Sequence, residues 1–372
     1  MKDTILFGDC KETLSAFLPQ SARTCVTSPP YYGLRDYGTA TWVGGDPNCK
    51  HRKVGKQGSN CITGHKNHDD MGSVGDYIFK SVCPLCGAVR QDSQIGLEES
   101  PEEYVESLVN VFRSVRDVLT DDGTLWVNLG DSYYNYRPGK GQSYPKQSVS
   151  KTKQDLPDEC NKRGNKLDGL KEKDLIGIPW LFAFAMRKDG WYLRQDIIWH
   201  KPNPMPESVR DRCTKSHEYI FLFSKNRKYF YNNEAIKEPA KDWGTRDRTN
   251  GKYHNTGTGL QPHSGLSKSY PTKNKRSVWS VTVKPYKEAH FATYPPDLIE
   301  PCIKAGSEEG DTILDPFMGA GTTAAVAKSL NRYYIGCELN EDYGNLIQKR
   351  IQDYHPVNKV AQEPCINILD II

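Results

Sequence analysis

A glycine-rich turn near the carboxyl end, Asp315-Pro316-Phe317-Met318-Gly319-Ala320-Gly321-Thr322-Thr323-Ala324, restricts the folds open to this chain more than any other segment. It follows a short apolar run, Thr312 to Leu314, and opens a helical pattern over Thr322 to Leu330. Positions 319, 321 and 324 match G-x-G-x-x-G/A, in which glycines let the backbone approach a ligand at a helix N-terminus. The next predicted strand, Tyr333 to Cys337, leads directly into Glu338, 19 residues after Gly319. An acidic residue at that place can take both hydroxyls of a ribose. A nicotinamide-dependent dehydrogenase is a rival reading of such a turn. Only 51 residues follow Gly321, however, too few for the remaining strands of a dinucleotide fold. The sheet must be completed by strands earlier in the chain, and a mononucleotide-type cofactor on a permuted sheet fits better.

Those strands can be found. Thr4 to Phe7 and Thr24 to Thr27 are apolar strands; the first ends at Gly8-Asp9, where Asp9 and Glu12 have capping-box spacing for a following helix. Ser100-Pro101-Glu102-Glu103 opens a strong helix whose apolar face is Val105, Leu108, Phe112, Val115 and Leu119. Asp122-Gly123 turns into a strand over Thr124 to Leu129, ending at Gly130-Asp131. A helix over Ile178 to Lys188 closes at Gly190, strands follow over Leu193 to Trp199 and Glu218 to Ser224, and Pro296 to Ala305 is a further helix. Strands alternating with helices give an α/β domain with a mostly parallel sheet. At 372 residues the chain has room for one large or two modest domains.

Several classes are excluded by composition. No apolar run approaches the roughly 20 residues of a membrane span. The amino terminus, MKDTILFGDC, lacks an apolar signal region. Eleven cysteines, an odd number in a long chain, argue for a reducing compartment and against a disulfide scaffold. The expected location is therefore the cytoplasm. The charge is unevenly placed: residues 237–288 hold 11 Lys/Arg against 4 Asp/Glu, and residues 137–173 hold 10 against 5. Basic, turn-rich segments on an otherwise acidic chain suit a polyanion, most simply nucleic acid, unless they are only a solvated loop surface.

Ser28-Pro29-Pro30-Tyr31 leaves a strand at its carboxyl end, where open α/β sheets bind ligands. The prolines remove N–H donors and stiffen the loop. What is left is a set of fixed carbonyl acceptors, a hydroxyl and an aromatic face, which suits a planar group bearing an amine. The same residues also read as a rigid turn with a packed tyrosine.

Taken together, these motifs resemble the amino-group DNA methyltransferases, in the β arrangement that places the Pro-Pro motif before the cofactor motif. Thr27-Ser28-Pro29-Pro30-Tyr31-Tyr32 is similar to the family's catalytic motif. Asp315 through Thr323 is similar to its S-adenosylmethionine motif, with Glu338 as the ribose-binding acid. Ala289-His290-Phe291-Ala292-Thr293-Tyr294-Pro295 resembles the segment that covers the cofactor's methionine moiety, and Ile198-Trp199-His200-Lys201-Pro202-Asn203-Pro204 the stretch near the flipped base. Gly8-Asp9 resembles the turn whose acid reaches the adenine, although Asp9 reads equally well as a helix N-cap. The resemblance implies a permuted Rossmann-like fold with one antiparallel strand, and a cofactor site of Asp9, Phe291, Thr293, Asp315, Phe317, Gly319, Gly321, Thr322 and Glu338.

The resemblance also implies a mechanism. A base flipped from double-stranded DNA stacks on Tyr31, while the Ser28 hydroxyl and Pro29 carbonyl accept from its exocyclic amine, which attacks the sulfonium methyl in line. Pro30 keeps the loop rigid. Cytosine N4 is favoured over adenine N6, because a serine hydroxyl can accept from the amine and also donate to the neighbouring ring nitrogen. A catalytically silent DNA-binding module and an RNA methylase are alternatives. By family position the recognition segment is 237–288, with Arg246, Arg248, Lys273, Lys275 and Arg276 facing phosphates or guanines and Trp243 and Tyr253 as wedges or local packing. The expected organisation is 1–37 and 98–236 as the catalytic part, 38–97 as an insertion, 237–288 for target recognition and 289–372 as the cofactor part. The insertion carries Cys49-Lys50-His51 and, beyond 31 intervening residues, Cys83-Pro84-Leu85-Cys86-Gly87. Cys49, His51, Cys83 and Cys86 make a Cys₃His set for structural zinc, with Cys61, His65 and His68 as alternative ligands. A restriction endonuclease is a possible companion.

Overall fold

The computed structural model describes residues 2–33, 39–49, 54–55, 77–78, 82–83, 85–134, 167, 169–240, 271–284 and 293–355. Eight strands form its main sheet: β1 Thr4–Phe7, β2 Ala22–Thr27, β3 Leu119–Leu129, β4 Tyr192–His200, β5 His217–Ser224, β6 Val278–Ser280, β7 Thr312–Asp315 and β8 Tyr333–Glu338. Their order is β1-β8-β7-β2-β3-β5-β4-β6. Every neighbouring pair is parallel except β3 with β5 and β5 with β4, so β5 alone runs against the rest. The expected permuted, mostly parallel sheet is what forms: the amino-terminal β1 lies beside the late strand β8, in register Thr4 to Ile335.

Alternation along the central strands sends their side chains into two layers. Cys25, Leu125, Val127, Leu314 and Ile335 face one layer, packed with Leu108, Phe112 and Phe182. Those partners come from α2 (Pro101–Val118) and α3 (Ile178–Lys188), following the short α1 (Cys10–Thr13). Val26, Trp126, Ile313 and Tyr334 face the other, packed with Leu298, Val326 and Ile347 from α4 (Pro296–Gly306), α5 (Thr322–Ser329) and α6 (Gly344–Asp353). Burial on both faces explains why these strands read as continuous apolar runs. The α2 start forms as its sequence dictates: Ser100 Oγ accepts from the Glu103 amide at 3.2 Å, with Pro101 in the first turn.

The structure differs from the sequence expectations at four places. β3 begins at Leu119, so Asp122-Gly123 lies inside the strand rather than in a turn before it. Ala22 pairs with Leu119 and Thr24 with Thr124, which leaves a bulge pinned by Arg23 to Asp122. The helix after Asp9 is only Cys10–Thr13, continued by a 3-10 turn over Leu14–Ala16. Val278–Ser280, inside the span assigned to target recognition, joins the main sheet with Trp279 opposite Trp199. Finally, α6 follows the last strand without having been anticipated.

Candidate active site

A cleft of about 440 Å³ opens along the carboxyl ends of β1, β2, β7 and β8, a volume in the range of small-molecule sites. The strand directions put the two sequence motifs on its opposite walls. Ser28, Pro29, Pro30 and Tyr31, leaving β2, line one side; Phe317, Gly319, Thr322 and Glu338, around β7 and β8, line the other. Asp9 and Thr293 also reach the cleft.

Glu338 ends β8 with its carboxylate held by backbone donors. Oε2 accepts from the Gly319 amide at 2.6 Å and Oε1 from the Asn340 amide at 2.9 Å. A carboxylate has about four acceptor sites, so these amides leave capacity for a ligand in the cleft. Burial pushes this carboxyl above the ordinary glutamate value, against the pull of those amides. The Asp9 carboxylate accepts from the Lys11 amide at 2.9 Å, so the acid that borders the cleft is also the N-cap of α1. The N-cap reading of Asp9 is what forms.

Asp315 and Gly321 sit behind the wall and not on it. Asp315 is fully buried. It accepts from Thr27 Oγ1 at 2.6 Å, Thr323 Oγ1 at 2.5 Å, Tyr294 hydroxyl at 3.1 Å and the Phe317 amide at 3.0 Å. With its acceptor sites taken by the protein, it ties the residue before Ser28 to the turn that carries Phe317, and so fixes one wall against the other. Burial raises its carboxyl pKa despite these donors. Gly321 is the N-cap of α5 and packs on Ile347.

Around Tyr31 the structure assembles polar residues from β3, from β5 and from the position just after β4. Its hydroxyl donates to Glu218 Oε2 at 2.6 Å and lies 3.2 Å from Asn128 Oδ1. Asn128 Nδ2 also donates to Glu218, and Lys201 forms an ion pair with the other Glu218 oxygen. Lys201 lies 4.3 Å over the Trp199 ring. Burial, then the neighbouring Glu218 carboxylate, pushes the Tyr31 phenol well above its usual value, keeping it a neutral donor. The Pro30 carbonyl is taken by the Tyr104 hydroxyl at 2.7 Å; the Pro29 carbonyl has no partner among the described residues. Lys201 stood in a motif read from sequence. Glu218 and Asn128 were missed as site residues; Asn128 is a polar residue inside an otherwise apolar stretch of strand, and Glu218 merely stands at the start of one.

The remaining sequence candidates divide by region. Cys49, Cys83 and Cys86 converge, with their sulfur atoms all within 4.8 Å of one another. Hydrogen bonding to Cys86, first from the Ala88 backbone, holds its thiol below the ordinary value. Lys273, Lys275 and Arg276 are placed together, each within 3.0 to 3.9 Å of the Glu238 carboxylate. His51, Arg246, Arg248 and Phe291 lie outside the described residues, as do Cys61, His65, His68, Trp243 and Tyr253. Among the described residues no helix is long and apolar enough to cross a membrane.

A family model described as DNA methylase, for N6 and N4 methyltransferases, matches residues 22–349. The chain is 38% identical over 349 residues to the type II methyltransferase M.XycI of Xanthomonas campestris pv. cyanopsidis, covering 94% of this chain and 87% of that protein. It is likewise 38% identical to the type II methyltransferase M.SmaI of Serratia marcescens, over 93% of this chain and 90% of that one. In fold it is similar to the PvuII DNA methyltransferase (cytosine-N4-specific), with TM-score 0.54, 15% identity, and coverage of 96% of this chain and 89% of the other. The order of motifs, the cleft that joins them and these relatives agree: the chain belongs to the N6/N4 DNA methylase family and is a DNA methyltransferase.

Proposed function

We propose that this enzyme transfers a methyl group from S-adenosylmethionine to the exocyclic amine of a base flipped out of double-stranded DNA, with cytosine N4 as the preferred atom. The observation that carries this reading is the single cleft with Ser28 to Tyr31 on one wall and Glu338 on the other. Glu338 has spare acceptor sites for ribose hydroxyls, and Phe317 and Gly319 offer an apolar and a backbone surface beside it. S-adenosylmethionine supplies an electrophilic methyl on a sulfonium. The protein's part is to orient and polarise the amine. The unpartnered Pro29 carbonyl and the Ser28 hydroxyl accept from the amine's two hydrogens, which draws its lone pair out of conjugation with the ring. Tyr31 offers its face for stacking, held by Glu218 and Asn128 so that the ring does not follow the base. No covalent enzyme intermediate is needed: Cys25, the cysteine nearest the motif in sequence, is fully buried in the core.

Serine before Pro-Pro favours cytosine, since it can accept from the amine and donate to the adjacent ring nitrogen, whereas a carboxylate can only accept. Lys273, Lys275 and Arg276, with Arg246 and Arg248, supply positive charge for the duplex backbone. A structural zinc at Cys49, Cys83 and Cys86, with His51 as fourth ligand, completes the reading, as does action in the cytoplasm of a prokaryotic host alongside a cognate endonuclease. The test is Tyr31→Ala. Calorimetry should give S-adenosylmethionine affinity close to wild type, while labelled methyl transfer to duplex DNA should fall by about a hundredfold or more. Near-normal transfer would place the base pocket elsewhere.

A further inference from the structure

The cysteine cluster belongs to a small unit with a direct path to the catalytic loop. Thr41–Val43 pairs antiparallel with Val89–Gln91, Thr41 opposite Gln91 and Val43 opposite Val89. Cys49 follows the first strand; Cys83 and Cys86 precede the second. The Cys83 amide donates to the Ala88 carbonyl at 2.8 Å and the Gly87 amide to the Cys83 carbonyl at 2.9 Å, a tight turn that brings Cys86 back beside Cys83. Cys49 Sγ and Cys83 Sγ are 3.9 Å apart. A disulfide needs about 2.05 Å, so these are separate thiols. Zinc–sulfur bonds of about 2.3 Å in a tetrahedron place sulfurs about 3.8 Å apart, the spacing found here. That edge is matched by the Cys49–Cys83 pair, and the Cys86 sulfur lies within 4.8 Å of both, so the three thiols are close enough to share one ion.

Beyond the second strand the chain runs straight to the site. Ser93, Gln94 and Ile95 form part of the cleft wall. The Gly96 carbonyl accepts from the Gly33 amide at 2.8 Å. Gly96 lies so close to the catalytic turn that a Cβ there would stand 3.0 Å from the Tyr31 carbonyl oxygen and 3.5 Å from Pro30 Cβ. The backbone of one unit thus forms the support of the other. A pair of three-residue strands is too small to hold itself together, and among the described residues 39–97 the buried apolar side chains are only Cys83, Ala88 and Ile95. The unit needs a crosslink, and its thiols are placed to supply one.

We infer that a zinc ion bound by Cys49, Cys83 and Cys86 fixes this strand pair as a brace behind the Pro30–Gly33 turn, so that metal occupancy governs the shape of the base pocket while leaving the S-adenosylmethionine wall intact. The inference rests on the methyltransferase reading for what the pocket accepts, but not for the brace itself. The cofactor wall is fastened apart from the insertion, by the parallel pairing of β7 with β8 and by the Gly8 amide bonded to the Glu338 carbonyl at 2.9 Å.

The experiment uses the full chain purified without chelators. Plasma mass spectrometry should find one equivalent of zinc; iron in its place, or no metal, overturns the inference. Hydrogen exchange is then compared before and after zinc is displaced with a thiol-binding mercurial. Exchange should rise in peptides covering 85–97 and also in those covering Tyr31–Gly33, and stay unchanged over 312–338. A rise confined to the insertion overturns the brace. This readout needs neither S-adenosylmethionine nor DNA, so it stands even where methyl transfer itself fails. Two variants separate binding of the metal from its consequence. Cys83→Ser should lose zinc, keep S-adenosylmethionine affinity within about twofold and lower turnover by about tenfold or more. Gly96→Ala should keep its zinc and yet lower turnover, because it pushes the brace off the turn. Wild-type turnover in a Gly96→Ala protein that retains zinc contradicts the mechanism.

Discussion

Asp315 and Glu338 end neighbouring strands, and burial raises both carboxyl groups above their ordinary values. Their surroundings separate their roles. Four protein donors surround Asp315, whereas the Glu338 carboxylate is held by backbone amides and borders the cleft. Removing Glu338 should therefore weaken S-adenosylmethionine. Glu338→Ala loses charge-assisted acceptors worth roughly 1.5–3 kcal/mol, about ten- to a hundredfold in Kd by calorimetry. The pH dependence follows from the direction of the shift. A raised pKa means protonation begins above the ordinary glutamate value of 4.5. A protonated carboxyl gives up an acceptor, so affinity is full above the raised pKa and falls as the pH drops through it. Glu338→Gln should flatten that decline, and an unchanged slope would remove Glu338 from the ribose site. At this scale the sequence was most informative where a residue's role is local. The placement of Ser28 to Tyr31 and Glu338 on one cleft could be read because each stands at the end of a strand beside a backbone turn. Asp315 was read as a cofactor residue from its motif, but its partners Thr27 and Tyr294 come from other segments. Glu218, which anchors Tyr31 from 187 residues away, left no local signature.

At the scale of elements, α5 begins where backbone conformation and packing make one demand together. Gly321 has φ +80, and a Cβ there would stand 2.8 Å from Ile347 Cγ2 and 3.2 Å from Ile347 Cα on α6. Gly321→Ala should destabilise the fold by about 1–3 kcal/mol, read as a lowered Tm in thermal unfolding, with weaker cofactor binding because the Gly319 turn is continuous with that helix start. An unaltered Tm would show that α6 can move aside freely. Helix starts with local caps were legible, as at Ser100. The α3 span, Ile178–Lys188, was legible as well, but its cap was not: the N-cap Gly177 has no side chain, and the Gly177 and Ile178 amides bond instead to the Asp131 carboxylate at 3.0 and 3.1 Å. Likewise Asp122-Gly123 carries turn residues, yet tertiary pairing with β2 and the Arg23 ion pair keep it in the sheet. Val278–Ser280 was hidden by its basic, turn-rich neighbours; only the buried Trp279 marks it as sheet.

For the whole molecule, permutation is what brings the site together. The glycine-rich turn near residue 320 and the Pro-Pro loop near residue 30 meet because β7 and β2 are adjacent and parallel, with Ile313 opposite Thr24. Taking the two motifs as one site implies such an arrangement, and for that reason the sheet's general plan was legible in the sequence. The positively charged span 237–288 is less simple than its composition: three of its cations share Glu238, so part of that charge is balanced within the protein. The account stands or falls on whether the joined cleft methylates an exocyclic amine. The direct measurement is nucleoside mass spectrometry of duplex DNA incubated with the purified enzyme and methyl-labelled S-adenosylmethionine. The account predicts labelled N4-methylcytosine, lost in Tyr31→Ala. Labelled N6-methyladenine alone would reverse the choice of base, and label on carbon 5 of cytosine, or no labelled nucleoside at all, would contradict the amine-transfer mechanism.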